Sequence, residues 1–180
     1  MTVAEYIKVS IAGIGSLVLA FGMSLPSAAR AETDLGTKVK AAYLYQLTRF
    51  VEWPDLPPDS IRICVVGDDA VGGMLGELSN RRVKERLLKI EVNASIDPAM
   101  CQVLFISRSE RRWEEILGRV HGSSVLTVSD QNGFAHSGGV VGFYSEEGKI
   151  KLEINAAAAR DANLKISSKL MELSRTVPPP

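Results

Sequence analysis

The sequence has few of the residues from which catalytic and metal sites are built. Its 180 residues include only two histidines and two cysteines. Neither His121 nor His136 has a second ligand at metal-binding spacing, and each lies in or beside a loop rich in glycine and serine. No Gly-x-Ser-x-Gly nucleophile motif and no phosphate-binding glycine pattern occurs. The sequence therefore predicts no catalytic residues, no metal and no cofactor, and a protein that is not an enzyme.

An excess of charge of one sign is also missing. The chain has 21 basic and 21 acidic residues, so its formal net charge is zero. A nucleic-acid-binding domain needs a basic face, and the balance therefore predicts no nucleic-acid partner. The one basic concentration, between Arg81 and Lys89, is typical of a solvated connector, although it is also a candidate contact for an acidic partner.

Long apolar runs are absent except at the start of the chain. Residues 1–31 combine Lys8, an apolar run over 11–23 and the small-residue pattern Ala29-Arg30-Ala31. This predicts a cleaved secretory signal peptide over 1–31 and one domain over 32–180, located in the periplasm if the source is a Gram-negative bacterium. Because no charge occurs between Lys8 and Arg30, a retained membrane anchor is the alternative.

The two cysteines, Cys64 and Cys101, belong to no Cys-x-x-Cys pattern. In an exported protein, an even number of cysteines favours a disulfide. Two buried free thiols are the alternative, since free cysteine is often buried.

Strand-like apolar runs alternate with helical patterns along the chain. Strands are predicted over 61–66, 87–92, 102–107, 125–128, 140–144 and 149–154, with helices over 70–78 and 113–120 between them. This order predicts an α/β fold with a mainly parallel sheet, helices on both faces and an antiparallel C-terminal hairpin. A stripe of Ile166, Leu170, Leu173 and Val177 predicts a last helix that continues to the end of the chain.

The segment from Lys38 to Pro54 predicts an aromatic-rich helix that ends at Trp53-Pro54. Helical spacing predicts a core-facing stripe, formed by Val39, Ala42, Tyr43, Leu47 and Phe50. The aromatic and charged residues outside that stripe are the candidate partner-binding residues, namely Tyr45, Arg49 and Trp53.

A second hypothesis is a binding site for a small molecule. Gly67-Asp68-Asp69 follows the first predicted strand, and a polar loop runs from Ser129 to Gly138. Ligands of open α/β sheets bind at the carboxyl ends of the strands, where both segments are expected.

The opening helix resembles a family motif. Lys40-Ala41-Ala42-Tyr43-Leu44-Tyr45, followed by Arg49-Phe50-Val51-Glu52-Trp53-Pro54, is similar to the start of the YfiR-like family of bacterial periplasmic proteins. Weaker similarity covers nearly all of residues 32–180, including the segments 63–68, 101–107, 138–143, 152–155 and 164–170.

The resemblance implies a soluble periplasmic regulator with an α/β fold, often a homodimer, and not an enzyme. It implies repression of an inner-membrane diguanylate cyclase by direct contact, which lowers cyclic di-GMP and biofilm formation, and release by an outer-membrane lipoprotein. Cys64 and Cys101 match a disulfide pair of the family. The family's second cysteine pair is absent here, so another membrane-bound signalling protein is the alternative partner.

Overall fold

The computed structural model describes residues 28–67, 70–93 and 97–178, with side chains of the first helix described from residue 35 onward. The predicted leader over 1–31 lies outside this range except for its last four residues, and so do Asp68 and Asp69. Among the residues described, no helix is both long enough and apolar enough to cross a membrane.

Helices and strands alternate through the described chain. In chain order they are α1 Ala28–Phe50, β1 Val51–Glu52, β2 Ser60–Val66, α2 Ala70–Gly76, β3 Arg82–Val83, β4 Arg86–Val92, β5 Val103–Ile106, α3 Trp113–Arg119, β6 Leu126–Ser129, β7 Val141–Glu146, β8 Lys149–Asn155, α4 Ala156–Asp161, β9 Lys165–Ile166, α5 Ser168–Glu172 and β10 Arg175–Val177.

Eight of these strands form one mixed sheet in the order β10-β8-β7-β6-β5-β2-β4-β3. The five strands β7, β6, β5, β2 and β4 are parallel to one another, whereas β7–β8 and β3–β4 are antiparallel hairpins. The predicted α/β fold, mainly parallel sheet and antiparallel hairpin are thus confirmed. The strand predicted over 87–92 is β4, and the segment before it, expected to be a basic connector, supplies its hairpin partner β3.

The sheet buries apolar side chains on both faces, because side chains alternate along each strand. Ile63 of β2 and Phe105 of β5 face the core that α1 and α2 cover. Cys64 and Leu104, which are adjacent to Ile63 and Phe105 in the sequence, face a second core beneath α3. Helices therefore lie on both faces, as the alternation of strands and helices predicts.

The buried stripe of α1 differs from the predicted one. Ala41 and Leu44 are buried, whereas Ala42 is exposed and Tyr43 and Phe50 are half-buried. The helix is thus rotated by roughly 100°, the angle of one residue, from the predicted orientation. The buried face of the helix combines two leucines, Leu44 and Leu47, with the small side chains of Thr37, Ala41 and Thr48. Of the predicted stripe, only Leu47 is fully buried.

The predicted C-terminal helix is wrong. Residues 165–177 instead form β9, the short helix α5 and the strand β10, which pairs in parallel with the end of β8. Ser167 caps α5, since its hydroxyl accepts a hydrogen bond from the N–H of Leu170. Leu173, expected in the core, is 76% exposed. The edge of the sheet is therefore β10, not the hairpin.

The end of α1 is tied to the sheet by Trp53. This side chain is buried, and its Nε1 donates a hydrogen bond of 3.1 Å to the carbonyl of Gln102 at the start of β5. Immediately before it, β1 pairs with β9, so the same short segment also holds the C-terminal part of the chain.

A disulfide joins Cys64 of β2 to Cys101, just before β5, and both sulfurs are buried. It therefore crosslinks two neighbouring parallel strands. The segment that it encloses contains α2, β3 and β4.

Removing this disulfide is expected to lower the free energy of unfolding by about 3–4 kcal/mol, because the unfolded chain regains the entropy of an open loop. Urea unfolding of the Cys64→Ala, Cys101→Ala double variant against the oxidised parent measures the loss. Dithiothreitol should destabilise the parent and leave the double variant unchanged. Equal stability of oxidised and reduced parent would contradict the prediction.

Replacing Trp53 with phenylalanine is expected to cost about 1 kcal/mol of stability, the usual net value of one hydrogen bond, because the carbonyl of Gln102 loses one of its two donors and keeps the N–H of Leu126. Trp113→Phe is the matched control: Trp113 is half-buried and donates no side-chain hydrogen bond within the described residues. Urea midpoints of the two variants measure the difference. If both substitutions cost the same, the hydrogen bond contributes little.

Candidate functional site

The three predicted partner-binding residues lie in different environments. Tyr45 is half-buried against the core, Arg49 is exposed and Trp53 is buried. Arg49 borders a groove that also contains Lys84, Lys165 and Glu52, so three basic residues and one acidic residue lie there. Whether these residues bind a partner stays a prediction.

A cleft of about 660 Å³ lies along the other flank of α1, and we call it the α1–β8 cleft. Three parts of the chain form it, namely the second half of α1, the β7–β8 hairpin and the turn between α5 and β10. Its lining residues are Tyr43, Gln46, Leu47, Phe50, Tyr144, Lys149, Ile150, Lys151, Leu152, Leu170, Glu172, Leu173, Ser174 and Arg175.

One wall of the α1–β8 cleft is apolar. Tyr43 and Phe50 are half-buried there because α1 turns Leu44 and Leu47 toward the core and leaves these two aromatic residues at its flank. Leu152 and Leu170 complete the wall, and the exposed Leu173 stands at its rim. Large apolar side chains that remain accessible beside a cavity are typical of a binding surface.

The other wall is charged and aromatic. The guanidinium of Arg175 lies 4.1 Å from the ring centre of Tyr144, a cation–π contact. Its Nη2 also lies 2.5 Å from Oε2 of the buried Glu153. This hydrogen bond, and the carboxylate's charge, raise the pKa of Arg175 above its ordinary value. Gly142 makes room for Glu153, since a Cβ there would lie 2.8 Å from Oε1.

Lys151 and Glu146 form an ion pair at the rim of the cleft. Their hydrogen bond, together with the charge of Lys151, lowers the pKa of the Glu146 carboxyl below its ordinary value. The same hydrogen bond raises the pKa of Lys151. Lys149 and Glu172 make no ion pair with any residue that the structure describes, so the cleft carries one unpaired charge of each sign, Lys149 at the hairpin and Glu172 at the end of α5.

The carboxyl ends of the parallel strands hold a second polar cluster. Asp130, which follows β6, is buried; its Oδ2 lies 2.5 Å from Nζ of Lys40, and its Oδ1 accepts a 2.8 Å hydrogen bond from the N–H of Arg108. Both carboxylate oxygens are thus engaged within the fold. The cluster fixes α1 to the end of β6.

The loop over 129–138, predicted as part of a small-molecule site, packs inward. Phe134 is fully buried and its ring centre lies 5.8 Å from that of Trp113. Asn155 Nδ2 donates a 2.8 Å hydrogen bond to the carbonyl of Ala135. The loop therefore contributes to the second core. His136 and His121 are exposed, and no group of three or more possible metal ligands occurs in the described ranges.

Sequence reasoning missed the cleft residues Tyr144, Leu173 and Arg175. Tyr144 stood in a predicted strand, but its contact with Arg175 depends on the pairing of β10 with β8. A signal for β10 was present, since Thr176 and Val177 are β-branched and precede Pro178, a composition that favours a strand.

Replacing Lys151 with methionine is expected to raise the pKa of Glu146 toward its ordinary value of 4.5. A carboxyl whose folded pKa is lowered stabilises the protein above its unfolded pKa, and this contribution is lost as pH falls through the folded pKa. The raised pKa of Lys151 acts in the opposite sense, since its contribution is lost as pH rises through that folded pKa. The stability difference between parent and variant should therefore be present near neutral pH and shrink below pH 4.5.

An NMR titration of the Glu146 carboxyl carbon measures this shift, and urea unfolding across pH measures its effect on stability. Lys89→Met, on an exposed lysine of β4, should leave the pKa of Glu146 unchanged. An identical Glu146 titration in the parent and Lys151→Met would mean that the ion pair does not form in solution.

Two solved structures resemble the fold at low sequence identity. The ABC domain in complex with L-Trp from Streptococcus pneumonia aligns with a TM-score of 0.51 and 7% identity, over 78% of this chain and 60% of that one. A conserved domain protein from Vibrio cholerae O1 biovar El Tor aligns with a TM-score of 0.50 and 12% identity, over 76% and 59%. The chain thus spans about 60% of the length of each. Both similarities concern the fold alone.

No curated protein matches the chain significantly. A family model does match, and it covers residues 37–175, from α1 to the first residue of β10. This range includes the helix motif that resembles the family, both cysteines and every residue that lines the α1–β8 cleft. The chain belongs to the YfiR/HmsC-like family.

Proposed function

We propose that this protein is a periplasmic regulatory protein that represses an inner-membrane diguanylate cyclase by direct contact, and so lowers cyclic di-GMP and biofilm formation. Family membership over residues 37–175 is the observation that carries the proposal. The resemblance of the opening helix to YfiR-like proteins supplies the kind of partner. Repression of this sort needs a surface that binds one state of the partner better than the other, and not a reactive centre.

The remaining parts of the proposal follow from the same family membership. A cleaved leader over residues 1–31 would deliver the domain to the periplasm, and the Cys64–Cys101 disulfide suits an oxidising compartment. An outer-membrane lipoprotein would compete with the cyclase for the regulator. A homodimer is the proposed assembly.

A small-molecule sensor is the second candidate function. The α1–β8 cleft supports it, since its volume of about 660 Å³ and its mixed apolar and polar walls suit a small organic ligand. A thermal-shift screen of metabolites against the whole protein tests this alternative. A ligand that raises the melting temperature of the parent, but not of a Phe50→Ala variant, would support it.

Deleting the gene from its host is expected to raise cellular cyclic di-GMP and biofilm, because the cyclase loses its repressor. Re-expression of the parent should reverse both changes, whereas the Tyr45→Ala, Arg49→Ala variant should do so only partly if those residues bind the partner. Arg119→Ala, at an exposed position of α3, is the matched control and should restore repression fully.

Mass-spectrometric quantification of cyclic di-GMP measures the outcome, with immunoblotting to show equal amounts of each variant. Unchanged cyclic di-GMP in the deletion strain would count against repression of a cyclase. Full repression by the double variant would instead remove Tyr45 and Arg49 from the contact surface.

A further inference from the structure

Part of the sheet edge at β8 has no neighbouring strand. β8 runs over Lys149–Asn155, but β10 pairs only with its last three residues, Glu153 to Asn155. On that side, the first four residues of β8 pair with no strand in the described parts of the chain. An open edge of this kind is a template for an added strand.

The backbone groups of this segment point outward. The turn at Glu147-Gly148 is closed by the pair Glu146 and Lys149, and at the other end of the hairpin the N–H of Asn155 bonds the carbonyl of Val140. The odd-numbered residues of β8 therefore bond to β7, and Ile150 and Leu152 direct their N–H groups to the open side. The carbonyl of Ile150 also points to the open side, where it accepts a 3.5 Å hydrogen bond from the Tyr43 hydroxyl.

The α1–β8 cleft follows this open edge and differs on its two sides. On the α1 side, Tyr43, Leu47 and Phe50 form the apolar wall with Leu152. On the opposite face of the sheet, Lys149 and Lys151 project beside the same edge, because side chains alternate along a strand. The α1–β8 cleft extends from Lys149, beside the hairpin turn, to Ser174, where the chain enters β10.

We propose that the α1–β8 cleft binds an extended segment of a partner protein, which adds as a strand to β8 at Ile150 and Leu152. The segment alternates apolar residues, which face the α1 wall, with acidic residues, which face Lys149 and Lys151. Strand addition supplies affinity through the outward N–H groups, and the two walls supply specificity. The inference rests on the proposed function, and it names the surface and chemistry of the partner contact.

The charge of Lys149 and Lys151 disfavours a second copy of this chain as the occupant, although Lys151 shares its charge with Glu146. β10 covers β8 from Glu153 onward, which leaves two antiparallel registers for a two-fold pairing of open edges. In one register Lys151 lies opposite its own copy, and in the other Lys149 and Lys151 lie opposite each other. Like charges directly opposite across two strands are destabilising, whereas carboxylates there are favourable.

Two capped hexapeptides test the proposal on the whole oxidised protein, one alternating valine with glutamate and one alternating valine with lysine. The glutamate peptide is expected to slow amide hydrogen exchange at Ile150 and Leu152 by about tenfold or more at saturation, because both N–H groups become hydrogen-bonded. The lysine peptide should bind at least about tenfold more weakly.

Variants of β8 separate backbone pairing from side-chain contact. Ile150→Pro removes one outward N–H without touching the ladder to β7, and proline is tolerated on edge strands, so binding should be lost. Ile150→Val keeps the N–H and should bind as the parent does. The Lys149→Glu, Lys151→Glu variant should reverse the preference and bind the lysine peptide better. Lys89→Glu, at an exposed position of β4, should leave the parent's preference for the glutamate peptide unchanged.

Four results would overturn the proposal: no binding of the glutamate peptide at millimolar concentration, equal binding of both peptides, binding undiminished by Ile150→Pro, or protection that rises with protein concentration alone, which would indicate a second copy. If Ile150→Pro loses the native circular dichroism spectrum, the test is the Lys149→Glu, Lys151→Glu variant, and the proposal is overturned if that variant does not bind the lysine peptide better than the glutamate peptide. Because peptide binding is measured in vitro, its failure is distinguishable from unchanged cyclic di-GMP in the deletion strain.

Discussion

The placement of α1 against the sheet is the constraint on which the other features depend. Lys40 holds the helix to Asp130 at the end of β6, and Trp53, three residues after the helix ends, bonds to Gln102 just before β5. These two attachments set the rotation of the helix about its axis. That rotation buries Leu44 and Leu47 and leaves Tyr43 and Phe50 at the flank, where they build one wall of the α1–β8 cleft.

Much of the fold could be predicted because its central strands are buried on both sides and therefore appear as short apolar runs, as in residues 61–66 and 103–106. The rotation of α1 could not, because apolar residues occur all around this helix and hydrophobic size favoured the aromatic stripe. The prediction of one helix from the apolar stripe Ile166 to Val177 was wrong for a related reason. Apolar residues spaced by three and four also fit a strand, a one-turn helix and a second strand in succession.

The candidate site was less accessible to sequence reasoning than the fold. Its walls come from residues 43–50, 144–152 and 170–175, which meet only because β10 returns to pair with β8. The motif in α1 marks the family well, yet it marks positions that anchor the helix, such as Trp53, as readily as positions on a surface. A motif that is diagnostic of a fold can therefore be a poor guide to where that fold binds.

An open strand edge would ordinarily be a liability, since any exposed strand could pair with it. Here the edge is four residues long and is closed at one end by the entry to β10. One of its faces carries Lys149 and also Lys151, which is paired with Glu146. Charged residues on an edge oppose pairing between identical copies, while a partner with carboxylates at alternate positions meets no such repulsion. The same two side chains can thus keep the edge free in the isolated protein and select what eventually occupies it.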